Sequence, residues 1–139
     1  MIKKIDIISK KEKETFNLGI DISKDISNGD VIGLIGNLAS GKTTFVKGLL
    51  KGLGYRYEVT SPTFTLINEY DAKYKVIHID FYREENIQRW HNIGFDYLFD
   101  NDAVILIEWA DLFPELLPEN TYRLFFDHYH QKYRKIYSK

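Results

Sequence analysis

The sequence predicts an α/β fold in a single domain, residues 1–139, with a mainly parallel central sheet, helices on both faces and antiparallel edge strands. Three short apolar runs, 31–35, 76–80 and 104–107, are rich in β-branched residues, as is typical of parallel strands covered on both faces. After the first run, residues 46–53 carry apolar side chains at helical spacing. The 139 residues suffice for one core but not for a second substrate domain.

Composition excludes several classes of protein. The 19 Lys and Arg residues nearly balance the 20 Asp and Glu residues, so no overall positive charge indicates nucleic-acid binding. There is no cysteine, which excludes disulfides and thiolate metal sites. The first residues are charged and lack an apolar signal segment, and no stretch approaches a membrane span. We therefore expect a cytoplasmic protein with no membrane partner.

A glycine-rich phosphate loop follows the first predicted strand. Gly36, four further residues, and then Gly41, Lys42 and Thr43 match the pattern G-x4-G-K-[ST]. The glycines let backbone N–H groups approach phosphate oxygens, Lys42 is expected to reach the β and γ phosphates, and the Thr43 hydroxyl is expected to bind Mg²⁺. The flanking strand and helix disfavour the alternative, an ordinary glycine turn. The residues predicted to bind the nucleotide are Gly36, Asn37, Leu38, Ala39, Ser40, Gly41, Lys42, Thr43 and Thr44.

At the N-terminus we expect a strand over residues 5–8 and a helix over residues 10–24. Ser9 and Glu12 have the spacing of a capping box, in which each side chain bonds the backbone N–H of the other. This pattern predicts that the helix begins beside Ser9.

A segment rich in hydroxyl groups follows the phosphate-loop helix. Its proline disfavours a continuous central strand. Its position is typical of a switch that senses the γ phosphate; the alternative is a plain loop between edge strands. The predicted switch residues are Ser61, Pro62, Thr63, Phe64 and Thr65.

Two carboxylates end predicted parallel strands. Asp80 closes the run 76–80, and Glu108 follows the run 104–107. Ligands of open α/β sheets bind at this end of the strands, so one acid is expected to hold Mg²⁺ and the other to orient the attacking water. The sequence leaves open which acid does which, and the alternative for each is a surface carboxylate. Trp109 follows Glu108, although tryptophan is more often a core residue than a ligand contact.

The C-terminal part of the chain has weaker patterns. We expect short helices over residues 84–89, 95–100 and 111–116 and a late strand over residues 122–126. The tail gathers Lys132, Arg134, Lys135 and Lys139 among tyrosines, a mixture that suits contact with RNA or a partner. A solvated edge strand is the favoured interpretation.

Together and in order, these motifs resemble those of one family, the bacterial tRNA threonylcarbamoyladenosine biosynthesis ATPase, TsaE. The resemblance covers nearly the whole chain. The segments that carry it are TFNLG at 15–19, GNLASGKTT at 36–44, SPTFTL at 61–66, HIDFYR at 78–83 and IEW at 107–109.

This resemblance implies a small P-loop ATPase that uses ATP and Mg²⁺ and works with TsaD-like and TsaB-like partners. The system attaches threonylcarbamoyl to the adenosine beside the anticodon in tRNAs that read codons beginning with A. ATP hydrolysis is implied to reset the complex rather than to perform the transfer, with tRNA contacted through the complex. By the same resemblance Lys42 and Thr43 serve the phosphates and Mg²⁺, residues 61–65 form a first switch, Asp80 forms a second, Glu108 assists the metal or the water, and Trp109 lies near the nucleotide. The predicted catalytic residues are thus Lys42, Asp80 and Glu108, and the predicted metal-site residues are Thr43, Asp80 and Glu108.

The loop departs from the family pattern at two positions. Asn37 stands where the family usually has Asp, so no acid role transfers to it. Ala39 stands where Gly is usual, and a positive φ there would cost about 1 kcal/mol.

Two other functions compete with the ATPase subunit. A small-molecule kinase would use the same loop, but no insertion for an acceptor pocket is evident. A nucleotide-gated binding module would make hydrolysis incidental. For the ATPase we expect slow turnover alone, because an activating arginine is worth about 10³ to 10⁵ in rate and Arg56, Arg83 and Arg89 qualify only by residue type.

Overall fold

The computed structural model describes residues 1–37, 39–59, 66–100, 102–130 and 132–139. The strands are β1 Asp6–Ser9, β2 Val31–Gly36, β3 Ile67–Asp71, β4 Lys75–Asp80, β5 Val104–Glu108, β6 Tyr122–Tyr129 and β7 Tyr133–Ser138. The α-helices are α1 Glu12–Ser23, α2 Lys42–Gly52 and α3 Ile87–Asn92. The 3₁₀ helices are Phe81–Arg83, Phe95–Asp100, Ala110–Leu112 and Pro114–Leu116. Within these ranges, no helix is both long enough and apolar enough to cross a bilayer.

The strands form one sheet in the order β1-β7-β6-β2-β5-β4-β3. Strands β6, β2, β5 and β4 are parallel, whereas β3, β7 and β1 pair antiparallel to their neighbours. The predicted α/β class with a parallel centre and antiparallel edges is therefore confirmed. Because the parallel strands share a direction, their carboxyl ends meet at one edge of the sheet, and the phosphate loop leaves β2 at that edge.

Both faces of the sheet are covered, as predicted. Helices α1 and α2 pack together on one face, over a core that includes Leu34, Leu106 and Leu124. On the other face, Ile79 and Ile107 pack in a second core with side chains of α3 and the 3₁₀ helices. The short buried strands in the centre have apolar side chains on both faces, which explains their continuous apolar runs.

The predicted capping box at the start of α1 is wrong. The N-cap residue is Lys11, and no side chain caps the helix there. The Ser9 hydroxyl instead donates to the Lys11 carbonyl oxygen at 3.0 Å and lies 2.7 Å from the Thr15 hydroxyl. Ser9 still belongs to β1, so the sheet places its hydroxyl beside the first turn of α1 without a capping bond.

The short helices also differ from expectation. Helix α3 begins later than the predicted 84–89, because the Asn86 side chain accepts a hydrogen bond from Gln88 N at 2.9 Å and caps the helix. Residues 95–100 form a 3₁₀ helix. Residues 111–116 are divided between two 3₁₀ turns, the second beginning at Pro114.

The predicted edge position of the C-terminal tail is also wrong. Strand β7 lies between β1 and β6, and the edges of the described sheet are β1 and β3. Strand β6 continues to Tyr129, beyond the predicted 122–126, and pairs with β7 down to Tyr133. This longer hairpin brings the start of β7 to the same edge of the sheet as the phosphate loop.

Candidate functional site

The candidate site is a cleft of about 340 Å³ at the carboxyl edge of the parallel strands. Its floor is the phosphate loop and the first turn of α2, and its sides come from β4 and β5 in one direction and from β1, α1 and β7 in the other. Its lining residues are Ser9, Lys11, Glu12, Thr15, Ala39, Ser40, Gly41, Lys42, Thr43, Thr44, Asp80, Arg83, Glu108, Trp109, Lys132 and Arg134.

The loop geometry requires its two motif glycines. Gly41 is the N-cap of α2 at φ 101°, a conformation that side chains rarely adopt. A Cβ at Gly36 would lie 2.5 Å from the Phe126 carbonyl oxygen and 2.8 Å from Ser40 Oγ. Ala39 adopts φ 59°, so the positive φ suspected at this departure from the family pattern is present, at a cost of about 1 kcal/mol. The backbone thus forms a tight concave loop despite the alanine.

Lys42 lies at the centre of the cleft and is only 5% exposed. Its Nζ donates to the Gly36 carbonyl oxygen and lies 3.8 Å from the centroid of the Trp109 ring. Burial lowers the pKa of Lys42, while the charges of Glu108, Asp80 and Asp111 oppose that shift. The ammonium group is therefore held inside the loop by a carbonyl oxygen and an aromatic face.

Asp80 and Glu108 end neighbouring parallel strands and are paired in the sheet register. They are 6% and 5% exposed, so the interpretation of either acid as a surface carboxylate is wrong. Burial raises the pKa of Asp80, and the nearby charge of Glu108 raises it further. Three groups oppose this shift in the pKa: the Tyr82 N–H, 3.0 Å from Oδ1, the Arg83 guanidinium, whose Nε lies 3.5 Å from Oδ2, and His78.

His78 is a site residue that the sequence reasoning missed. Its Nε2 lies 2.7 Å from Glu108 Oε2, and the imidazole is fully buried. Since a carboxylate only accepts, Nε2 carries the proton and donates to it. The sequence contained a signal for this contact. Residues 78 and 80 lie two apart on one strand and so share a face of the sheet. Asp80 pairs with Glu108 on the next strand, which places His78 on the same face as Glu108.

Trp109 is half-buried: it lines the cleft and also packs against the second core. Its backbone adopts φ 58°, rare for so bulky a residue, and the Tyr82 ring lies 4.8 Å away, centroid to centroid. This strained turn directs the indole toward Lys42.

The predicted residues are largely brought together. The cleft contains Ala39 to Thr44 together with Asp80, Glu108 and Trp109, and Gly36 joins them through its contact with Lys42. Asn37 is exposed and does not line the cleft. Leu38 and the predicted switch, Ser61 to Thr65, lie outside the described residues.

The other side of the cleft was not predicted as part of the site. Ser9, Lys11, Glu12 and Thr15 come from β1 and α1, and Lys132 and Arg134 come from the β6–β7 hairpin. No motif marks these residues. Their placement depends on the pairing of β7 between β1 and β6, which no local pattern shows.

A model of the family described as threonylcarbamoyl adenosine biosynthesis protein TsaE matches residues 9–136. The chain belongs to the TsaE family. Named TsaE proteins of tRNA threonylcarbamoyladenosine biosynthesis include that of Treponema pallidum, 38% identical over 114 residues that cover 82% of this chain and 84% of the relative. That of Aquifex aeolicus is 40% identical over 110 residues, covering 76% of this chain and 77% of the relative.

The crystal structure of Bacillus subtilis YdiB matches with a TM-score of 0.81 and 32% identity, over 99% of this chain and 86% of that one. The segment matched to the TsaE family, 9–136, contains every residue that lines the cleft. The family resemblance found from the motifs is confirmed, and it extends to both sides of the cleft.

Proposed function

We propose that this TsaE-family chain is a Mg²⁺-dependent P-loop ATPase that acts in tRNA threonylcarbamoyladenosine biosynthesis. The observation that carries the proposal is the convergence of Lys42, Asp80 and Glu108, all at least nine-tenths buried, in one cleft beside a tight glycine loop. A buried ammonium facing two buried carboxylates suits a ligand that brings both phosphates and a divalent cation.

The loop fits a polyphosphate. A Cβ at Gly36 would collide with the Phe126 carbonyl oxygen and with Ser40 Oγ, so the loop can fold this tightly only with glycine there, and Gly41 places the N-terminus of α2 against the loop. The buried Ser40 Oγ has no hydrogen-bond partner among the described residues. Backbone N–H groups at a helix N-terminus and a free hydroxyl are donors that phosphate oxygens accept.

The donor set also fits Mg²⁺. Thr43 offers a hydroxyl at the first turn of α2, and Asp80 and Glu108 offer carboxylates across the cleft. Nowhere in the described ranges do three or more His, Asp or Glu residues gather as a ready metal cluster. Mg²⁺ needs none, since it is usually held by one or two carboxylates, waters and substrate phosphates. When bound, it would neutralise charge on the β and γ phosphate oxygens.

The roles of the protein groups follow from their contacts. Lys42 exchanges its bond with the Gly36 carbonyl oxygen for a phosphate oxygen, a stronger, charge-assisted partner. His78 fixes one oxygen of Glu108 and leaves the other for a water. Asp80 supplies the second carboxylate. Trp109 covers the ammonium group and limits the access of bulk water to it.

The family membership supports the partner proposal. We place the chain with TsaD-like and TsaB-like proteins, where ATP hydrolysis resets the complex and tRNA is contacted through that complex. A role in tRNA modification favours a cytoplasmic location. Turnover by the chain alone should be slow, because Arg83 is engaged with Asp80 and both Arg56 and Arg89 are exposed.

The test is ATP turnover by the chain alone, with the two partners, and with partners plus tRNA, in wild type and Lys42→Ala. Stimulation by the partners that Lys42→Ala abolishes is the expected result. A rate that is unchanged by every addition, or a turnover of tens per second by the chain alone, would contradict the proposal. Phosphate release without an acceptor distinguishes the ATPase from a kinase. Repeated tRNA modification by a Glu108→Ala protein that binds ATP without hydrolysing it would favour the binding module.

A further inference from the structure

The two sides of the cleft carry opposite charge. The acidic wall consists of Asp80 and Glu108, with His78 behind them, at the ends of β4 and β5. The basic wall consists of Lys11, Lys132 and Arg134, beside β1 and β7, and includes one carboxylate, Glu12. On the acidic side one cation, Arg83, is paired with Asp80. The phosphate loop lies between the walls because β2 lies between β5 and β6 in the sheet. A ligand in the loop therefore meets mainly carboxylates on one side and mainly cations on the other.

Arg134 is the member of the basic wall that reaches the loop. Its Nη2 donates to the Ala39 carbonyl oxygen at 3.0 Å, and its Nη1 donates to the Tyr133 carbonyl oxygen at 3.0 Å. Its register partners are Ser9 on β1 and His128 on β6. Side chains two residues apart share a face, so Arg134 lies on the same face as the buried Ile136, under α1 and α2.

No described residue neutralises the charge of this guanidinium. Within the described ranges neither Arg134 nor Lys132 forms a salt bridge, although Arg134 is half-buried. A guanidinium has five N–H donors, and two carbonyl oxygens occupy only part of that set. An unpaired cation beside a phosphate loop suits an anion, and arginine binds phosphate through two parallel hydrogen bonds.

The position opposite the acidic wall indicates which phosphates Arg134 meets. The terminal phosphate and the divalent cation belong beside Asp80 and Glu108, where charge opposite to that of the metal is concentrated. The basic wall therefore faces the phosphates that remain in the product after hydrolysis, which ADP and ATP share.

We propose that Arg134 is a nucleotide-binding residue that contacts the phosphates shared by ADP and ATP, with Lys132 as a second, more exposed cation. The inference rests on the proposed ATPase function. It assigns the hairpin a part in holding the nucleotide before and after hydrolysis. Loss of Arg134 should therefore weaken ADP and ATP equally and leave kcat unchanged.

The experiment is calorimetric titration with ADP and with a non-hydrolysable ATP analogue, together with KM and kcat for ATP. The variants are Arg134→Gln, Arg134→Lys and the matched control Lys135→Gln, which removes the same charge one residue along β7 from the opposite face of the sheet. We expect Arg134→Gln to raise both Kd values and KM about tenfold or more, because hydrogen bonds to charged groups are lost. Arg134→Lys should recover part of the affinity, and Lys135→Gln should change it less than about twofold.

Three outcomes would overturn the inference: wild-type affinity in Arg134→Gln, a fall in kcat without a change in affinity, or an equal loss in Lys135→Gln. The unfolding midpoint of each variant is measured without nucleotide. If Arg134 had only a structural role, the affinity of Arg134→Lys would fall in proportion to its loss of stability, although the positive charge is kept. If Arg134→Gln fails to fold, Lys132→Gln and Arg134→Lys carry the test through their effect on both Kd values. If wild type bound no ADP, the proposed function itself would be refuted. Lys42→Ala shows what lost nucleotide binding looks like in the same titration.

Discussion

The acidic and basic walls of the cleft are built in different ways. Asp80 and Glu108 are almost fully buried and are paired in register on adjacent parallel strands, and His78 bonds the second of them. Lys11 and Lys132 are exposed, and Arg134 is tied to the phosphate loop by a hydrogen bond to Ala39. The acidic wall is buried and fixed by the sheet, whereas the basic wall is more exposed and lies at the margin of the cleft.

This difference assigns the walls different parts of the proposed reaction. Buried groups with fixed orientation act strongly on a transition state, because little reorganisation is needed when charge develops. Exposed cations on flexible stems attract a phosphate but hold it less rigidly. Changes in the acidic wall should therefore lower kcat, and changes in the basic wall should lower affinity.

The largest expected effect is that of Glu108→Gln. The glutamine still accepts the hydrogen bond from His78 but carries no charge, so it cannot take a proton from water or balance the metal. We expect kcat to fall by about 10² to 10³, while the Kd for ADP without Mg²⁺ changes less than about threefold. The measurement is single-turnover hydrolysis beside calorimetric titration in chelator.

Arg134→Gln is the control for that prediction, since it should show the reverse pattern, with lost affinity and retained kcat. If both variants lost affinity to the same degree and kept kcat, the division of labour between the walls would be wrong.

The acidic wall was largely predictable from sequence. Short apolar β-branched runs that end in a carboxylate identify buried parallel strands, and parallel strands bring their carboxyl ends together, so Asp80 and Glu108 could be placed beside Lys42. The tight turn of the phosphate loop follows from its glycines in the same way. These predictions succeed because they depend on periodicity and on residues whose conformational limits are local.

The basic wall was not predictable by those means. The hairpin residues 128–139 have a weak pattern, and an edge strand was expected where β7 lies between two others. The β6–β7 hairpin brings the tail to the cleft, and the long-range pairing of β1 with β7, in which Ser9 lies opposite Arg134, brings β1 there. Ser9 also shows that a local pattern can mislead. Its spacing from Glu12 predicts a helix cap, but in the sheet its hydroxyl lies beside that of Thr15.

A smaller effect is expected from His78→Phe. Phenylalanine fills the buried space but cannot donate to Glu108, so the carboxylate loses its fixed orientation. Loss of a residue that orients a reacting group typically costs about 10- to 100-fold in activity. We expect a fall in kcat in that range with unchanged ADP affinity, measured by steady-state hydrolysis and titration.

His78→Gln is the matched variant, because its amide can donate to Glu108 and should restore part of kcat. Equal kcat values in the phenylalanine and glutamine variants would show that the imidazole only fills space. A wild-type rate in both variants would show that His78 does not contribute to hydrolysis.

The smallest expected effect concerns stability and is that of Asp80→Asn. Burial and the charge of Glu108 raise the pKa of Asp80 in the folded chain above that in the unfolded chain. The folded state therefore binds the proton more tightly, so the stability that Asp80 contributes is full at acid pH and is lost as the pH rises through the folded-state pKa. At pH 7 the buried carboxylate is a cost, and asparagine can still accept from the Tyr82 N–H.

Asp80→Asn should thus increase the free energy of unfolding of the ligand-free chain at pH 7 by about 0.5 to 1 kcal/mol. Gains of this size are typical of single stabilising substitutions, here one that removes the cost of a buried charge. The gain should shrink as the pH approaches about 4, where an unperturbed aspartate also becomes protonated. Denaturant unfolding of wild type and variant at several pH values measures it. Lys132→Gln on the basic wall is the control and should leave the free energy of unfolding nearly unchanged at every pH, since that lysine is exposed. A loss of stability in Asp80→Asn at pH 7 would mean that the Tyr82 N–H, Arg83, His78 and the buried ammonium of Lys42 together favour the charged carboxylate by more than burial disfavours it.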